Sequence, residues 1–147
     1  MENISTLNSQ SSLQLSKTIQ DFALAADFGS VLVDIHGKET SDLYNFSPFC
    51  QIMRSKPEFK SLCQKCDAFG GLEASKNGNP CIYRCHAGLT DISLPIIRNN
   101  QLIGFALFGQ VEMNDDTENS FTRIHPIVTH WESSPELRQA RKKNQDC

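Results

Sequence analysis

Along the chain the spacing of apolar residues changes from helical to extended. Leu15, Ile19, Phe22 and Ala26 recur at spacings of four, three and four, which places them on one helical face. The spacing predicts a helix from Ser11 or Ser12, either of which can cap it, to about Phe28, with Gly29 as its terminator. Residues 1–11 read as a flexible leader of Asn, Ser, Gln and Thr. Val31 to Ile35 is an apolar run broken only by Asp34, followed by His36-Gly37-Lys38. That is a strand entering a tight turn. Residues 39–48 are polar and irregular.

Phe49 to Arg54 reads as a short helix. Pro57 suits the first turn of a second helix, which runs from about Glu58 to Lys76. Gly70-Gly71 weakens that helix, and Asn77-Gly78-Asn79-Pro80 ends it. Three strands follow: Cys81 to Arg84, Asp91 to Arg98, and Gln101 to Val111. Asn99-Asn100 makes a two-residue hairpin turn, since Asn tolerates positive φ. The apolar density of the last strand predicts a central, buried position. Its two gaps, Gly104 and Gly109, mark a bulge or the close approach of a ligand or backbone. Residues 112–120 read as an acidic surface loop, 124–131 as a strand or short helix, and Ser134-Pro135-Glu136 as the start of a helix to Lys143. The fold class expected is α+β, an antiparallel sheet with packed helices and a Cys-rich helical insertion.

The length, 147 residues, fits one domain. A net charge of −3 argues against nucleic-acid binding by this chain alone, because binding phosphates needs a basic face. The one basic run, Arg138 to Lys143, reads as a solvated helix face. No apolar stretch reaches the roughly 20 residues of a membrane span. The N-terminus lacks a positive segment followed by an apolar core, so a cytoplasmic location is expected. No serine elbow, phosphate loop or paired-carboxylate motif is present. His36, His125 and His130 read as surface or capping residues, so an enzyme is not expected.

Six cysteines in a cytoplasmic protein do not suggest a disulfide framework. Cys63-Gln64-Lys65-Cys66 is a CxxC pair, and on a helix residues three apart share a face. Cys81, Cys85 and His86 form a second group, with Cys50 upstream. Zinc takes four thiolate or imidazole ligands; Cys50, Cys63, Cys66 and Cys85 are the expected set, with Cys81 or His86 as alternatives for the fourth place. Buried inert thiols, a redox pair or an iron–sulfur site are the competing readings. A c-type haem is disfavoured, because Asp67 and not His follows Cys66.

The run Ile82-Tyr83-Arg84-Cys85-His86-Ala87-Gly88-Leu89-Thr90-Asp91, then Leu94-Pro95-Ile96, Ile103-Gly104 and Phe108-Gly109-Gln110-Val111, resembles the sensory domain of the PocR family. So do Phe49 to Arg54 and Gly70 to Lys76, and the pieces fall in the family's order over about residues 12–115. The resemblance implies a PAS-like α+β sensor. Its ligand would be a small diol such as 1,2-propanediol or 1,3-propanediol. The longer protein would be an AraC-type transcriptional activator of propanediol utilisation and cobalamin synthesis. Residues 12–131 would form the sensory domain and 132–147 the start of a linker helix to an absent helix-turn-helix domain, through which DNA would be bound. A homodimer is a further expected partner. The family's recurring cysteine positions match Cys50, Cys63 and Cys85.

A diol site needs a few convergent polar groups in an apolar wall. His86, Asp91, Tyr83 and Gln110 are the polar candidates in the most sheet-like stretch, with Phe49, Phe105 and Phe108 as wall. Two readings compete with diol sensing: a zinc-stabilised dimerisation module, and a thiol redox sensor built on Cys63 and Cys66 or Cys81 and Cys85.

Overall fold

The computed structural model describes residues 9–111. Residues 1–8 of the expected leader 1–11, the acidic loop, the elements at 124–131 and 135–143 and the linker lie outside the described residues; residues 9–11 of that leader are helical, because the first helix starts at Ser9, two residues before the expected cap. Three helices and four strands follow in order: α1 (Ser9–Ala26), β1 (Gly29–Val33), α2 (Pro48–Arg54), α3 (Pro57–Asn77), β2 (Cys81–Arg84), β3 (Thr90–Arg98) and β4 (Gln101–Val111). The strands form one antiparallel sheet in the order β1-β4-β3-β2, and the class is α+β as expected.

The sheet is covered on both faces. On one side Ile19 of α1 packs with Leu32, Ala106 and Phe108. On the other, Val31, Val33, Phe105 and Leu107 pack with Phe46, beneath a cluster of Phe49, Met53, Phe59, Ala87 and Leu89 contributed by α2, α3 and the β2–β3 turn. Side chains alternate between faces along a strand, so β1 and β4 need apolar residues at nearly every position. That is why both read as continuous apolar runs. Each fully buried Phe or Leu contributes about 1.5–3 kcal/mol.

Local chemistry sets the boundaries. Ser47 caps α2 by accepting the Cys50 N–H, and Pro48 fills the first turn. Gly78 closes α3 with φ +67°. Asn99 and Asn100 carry φ of +50° and +62°, so the hairpin forms as their turn chemistry predicts.

Three expectations need correction. First, β1 ends at Val33 rather than Ile35, because Asp34 Oδ1 accepts the N–H groups of His36 and Lys38 and starts the turn early. Second, the stretch after that turn runs back beside β1 through the bridges Ser30–Tyr44 and Val33–Glu39. Third, Gly70-Gly71 does not interrupt α3. A Cβ at Gly70 would run into the Tyr83 ring and one at Gly71 into the Phe105 ring. The pair lets the helix lie directly on the sheet, and that contact outweighs a helix-propensity cost of roughly 1 kcal/mol per glycine.

Candidate functional site

Between the sheet and the α2–α3 layer lies a small cavity. The centre of a water molecule has about 40 Å³ in which to move. One water needs at least roughly 10–15 Å³ by this measure, so the space suits a molecule of few non-hydrogen atoms. Phe46, Phe49, Phe59, Leu89 and Leu107 supply apolar wall, and Arg54, Asp67, His86, Asp91 and Gln110 supply polar groups.

Asp91 opens β3 beside a register shift between Thr90 and Asp91. Its Oδ1 accepts the Gln110 backbone N–H at 2.8 Å. Burial pushes its carboxyl up to about 7, the Asp67 charge adding to the effect. Gln110 turns its side chain away to a structural task, Oε1 accepting the Ser47 N–H at 2.8 Å.

His86 sits in the β2–β3 turn, which is closed by Cys85 N–H to Leu89 O and Gly88 N–H to Cys85 O. Its ring lies 4.2 Å from the Phe59 ring centroid. Burial, with Arg54 nearby, lowers its pKa to about 4. The imidazole is therefore neutral at pH 7 and offers one donor and one acceptor.

Arg54, at the end of α2, is the cation of the cavity wall. Nη1 donates to Glu39 Oε1 at 2.6 Å and Nη2 to Asp67 Oδ2 at 3.0 Å. Tyr83 Oη donates to Asp67 Oδ1 at 3.2 Å, and Gln64 Nε2 to Glu39 Oε2 at 2.8 Å. Asp67 is 4% exposed. Burial raises its pKa despite the pull of Arg54. Glu39 is less buried, and there a backbone hydrogen bond, Gln64 and Arg54 outweigh desolvation and hold the carboxyl below its ordinary value.

Of the residues expected to meet a ligand, His86, Asp91, Gln110, Phe49 and Phe108 come together on this cavity. Tyr83 and Phe105 do not line it. Tyr83 is buried against Gly70 and spent on Asp67; Phe105 is buried against Gly71. Arg54, Asp67 and Glu39 went unnoticed in the sequence. Their one signal is weak: charged residues inside stretches that otherwise read as amphipathic helix or irregular loop.

The expected zinc ligands Cys50, Cys63, Cys66 and Cys85 gather in the same region, around His86 and the Phe49–Leu89 cluster. Cys63 Sγ lies 4.0 Å from His86 Nε2, and Cys66 Sγ 3.5 Å from His86 Nδ1. The two thiols thus flank opposite nitrogens of one ring. Cys50, Cys63 and Cys85 pack against the Phe49–Leu89 cluster. Burial pushes the Cys50 thiol up to about 12 and raises those of Cys63, Cys66 and Cys85, so without a metal these side chains are thiols at neutral pH. Among the described residues no group of three or more His, Cys, Asp or Glu side chains is placed to hold a metal ion. Nor is any described helix long and apolar enough to cross a membrane.

Comparison with known proteins agrees with the sequence resemblance. The family model described as "Sensory domain found in PocR" matches residues 11–143. The chain is 47% identical over 137 residues to Regulatory protein PocR of Salmonella typhimurium, covering 93% of this chain and 44% of that protein. It therefore spans less than half the length of the curated relative it matches. No solved structure matches it. By the family model that covers most of its length and by this identity, the chain belongs to the PocR sensory-domain family.

Proposed function

We propose that this domain senses a small neutral diol, such as 1,2-propanediol or 1,3-propanediol, for a longer AraC-type cytoplasmic regulator that activates propanediol utilisation and cobalamin synthesis. One observation carries the reading. The cavity is sized for a few non-hydrogen atoms and sets the Asp91 carboxyl and the neutral His86 among apolar side chains. Asp91 and His86 would take the two hydroxyls, and Phe49, Phe59 and Leu107 would cover the carbons. A five-atom ligand at no more than about 1.5 kcal/mol per atom reaches micromolar affinity at best. The response then depends on a closely balanced equilibrium between two conformations that the diol binds unequally.

A signal has a path outward. Asp91 holds the Gln110 N–H, and Gln110 holds Ser47, which caps α2. A diol drawing on Asp91 would act at once on the α2 cap and on the end of β4. Calorimetry of the purified chain with both propanediols tests the proposal, which fails if neither gives heat or a thermal shift at millimolar concentration.

A zinc-stabilised module is the second reading, favoured by the approach of Cys63 and Cys66 to His86. It requires those side chains to rearrange around a metal. Elemental analysis separates the two: one zinc per chain supports the module, and a metal-free, folded, diol-binding chain refutes it.

A further inference from the structure

The diol reading leaves open what makes the cavity take a neutral molecule rather than an acid of the same size. Arginine is the usual receptor for carboxylates, and an arginine lines this cavity. Its charge is already answered twice. Glu39 takes Nη1 and Asp67 takes Nη2, so two carboxylates face one guanidinium and the trio carries a formal charge of −1. Asp91 adds a third carboxyl group to the region. His86 brings no compensating charge at neutral pH.

We propose that Asp67 is the specificity-determining residue of the cavity, holding Arg54 so that the site admits neutral hydroxylated molecules and refuses carboxylates. The proposal rests on the diol reading for the identity of the neutral ligand. Asp67 is almost wholly buried and reaches the cavity wall itself. It is fixed from its other side by the Tyr83 hydroxyl, so it cannot swing away when an anion arrives. An entering carboxylate would meet the unpaired charge of the trio among mostly buried side chains, where water screens it weakly. Selection of this kind rejects the wrong ligand by an unfavourable charge rather than by improving contacts to the right one. Glu39 holds the opposite edge of the guanidinium, so Arg54 would stay in position if Asp67 lost its charge. Asp67→Asn keeps one oxygen to accept from Arg54, turns its NH2 to donate to the Tyr83 hydroxyl oxygen, and brings the trio to zero formal charge.

Lactate is the matched probe, since it carries a carboxylate where 1,2-propanediol carries its terminal hydroxymethyl group. Calorimetry and thermal shift are run with both compounds on the native chain and on Asp67→Asn. The native chain is expected to bind the diol and to bind lactate at least about tenfold more weakly, a difference of about 1.4 kcal/mol. In Asp67→Asn the ratio is expected to move toward lactate by about tenfold or more. Native binding of lactate as tight as that of the diol overturns the assignment. So does a folded Asp67→Asn chain with an unchanged ratio or no affinity for lactate. If the native chain binds neither compound, the diol reading fails; a gain of lactate binding in Asp67→Asn still upholds the charge assignment. If Asp67→Asn does not fold, Glu39→Gln frees the other edge of Arg54, and absence of a lactate gain there overturns it.

Discussion

The Gln110 backbone N–H donates to Asp91 Oδ1 at 2.8 Å, and Gln110 makes this bond with φ of +68°. The preceding Gly109 has φ of +150° and leaves no room for a side chain; a Cβ there would sit 2.5 Å from Asp91 Oδ1. The end of β4 is thus bent to present an N–H to a buried carboxyl on β3. Backbone held in such regions costs about 1–3 kcal/mol per residue and clusters at binding sites.

Asp91 makes stability depend on pH. Its pKa rises from 3.8 to about 7 on folding, so the folded chain binds this proton more tightly than the unfolded one. Its contribution therefore becomes less favourable as pH rises from about 4 to 7, and the full cost remains above 7. Asp91→Asn keeps the acceptor for Gln110 and removes that cost. Urea melts should show Asp91→Asn more stable than the native chain by about 2 kcal/mol at pH 8, with the gap closing toward pH 4. A gap of equal size at both pH values would exclude a buried, raised carboxyl.

Gly71 sets how closely α3 approaches the sheet. Gly71→Ala should destabilise the chain by about 1–3 kcal/mol, because the added methyl meets the Phe105 ring, which has nowhere to move. Denaturant midpoints with unchanged slope check this. A neutral or stabilising outcome, as helix propensity alone predicts, would contradict the contact.

Arg54 neutralises two carboxylates in a wall where its own side chain is 10% exposed. Arg54→Met should cost about 3–5 kcal/mol by leaving both charges unanswered. Adding Glu39→Gln and Asp67→Asn to the same chain should restore much of the loss. Equal stability of the single and triple variants, read from chemical denaturation, would show that the charges are not coupled.

The cavity thiols should be slow to react. Cys50, Cys63 and Cys85 are half-buried on the cavity wall, and desolvation holds them as thiols at neutral pH. A disulfide reagent should modify Cys81 well before these three in the native chain, with all reacting quickly in denaturant. Rapid native modification of Cys63 and Cys66 would favour a redox pair.

The elements were legible where one local rule governed them. The Asn99-Asn100 turn, the stop at Gly78 and the double-sided burial of β4 all follow from turn chemistry or apolar density. The cavity was legible through the cluster of polar residues from His86 to Gln110. Two of its expected members were misplaced because the sequence does not show that Gly70 and Gly71 bring α3 down onto Tyr83 and Phe105. The Arg54 trio was hidden because Glu39, Arg54 and Asp67 lie on three separate segments, and only folding brings their charges together. The CxxC spacing did place Cys63 and Cys66 on one helical face, but spacing carries no information about burial, which leaves those sulfurs protonated.

Whether the cavity behind Phe49 and Phe59 binds a small diol is decided by calorimetric titration of 1,2-propanediol into the native chain and into Ala87→Leu, whose larger side chain would narrow that space. Saturable heat at one diol per chain, with a raised melting temperature, is expected of the native chain, and neither of Ala87→Leu. Absence of heat and thermal shift in the native chain at millimolar diol, or equal binding by the narrowed variant, would contradict diol binding in this cavity.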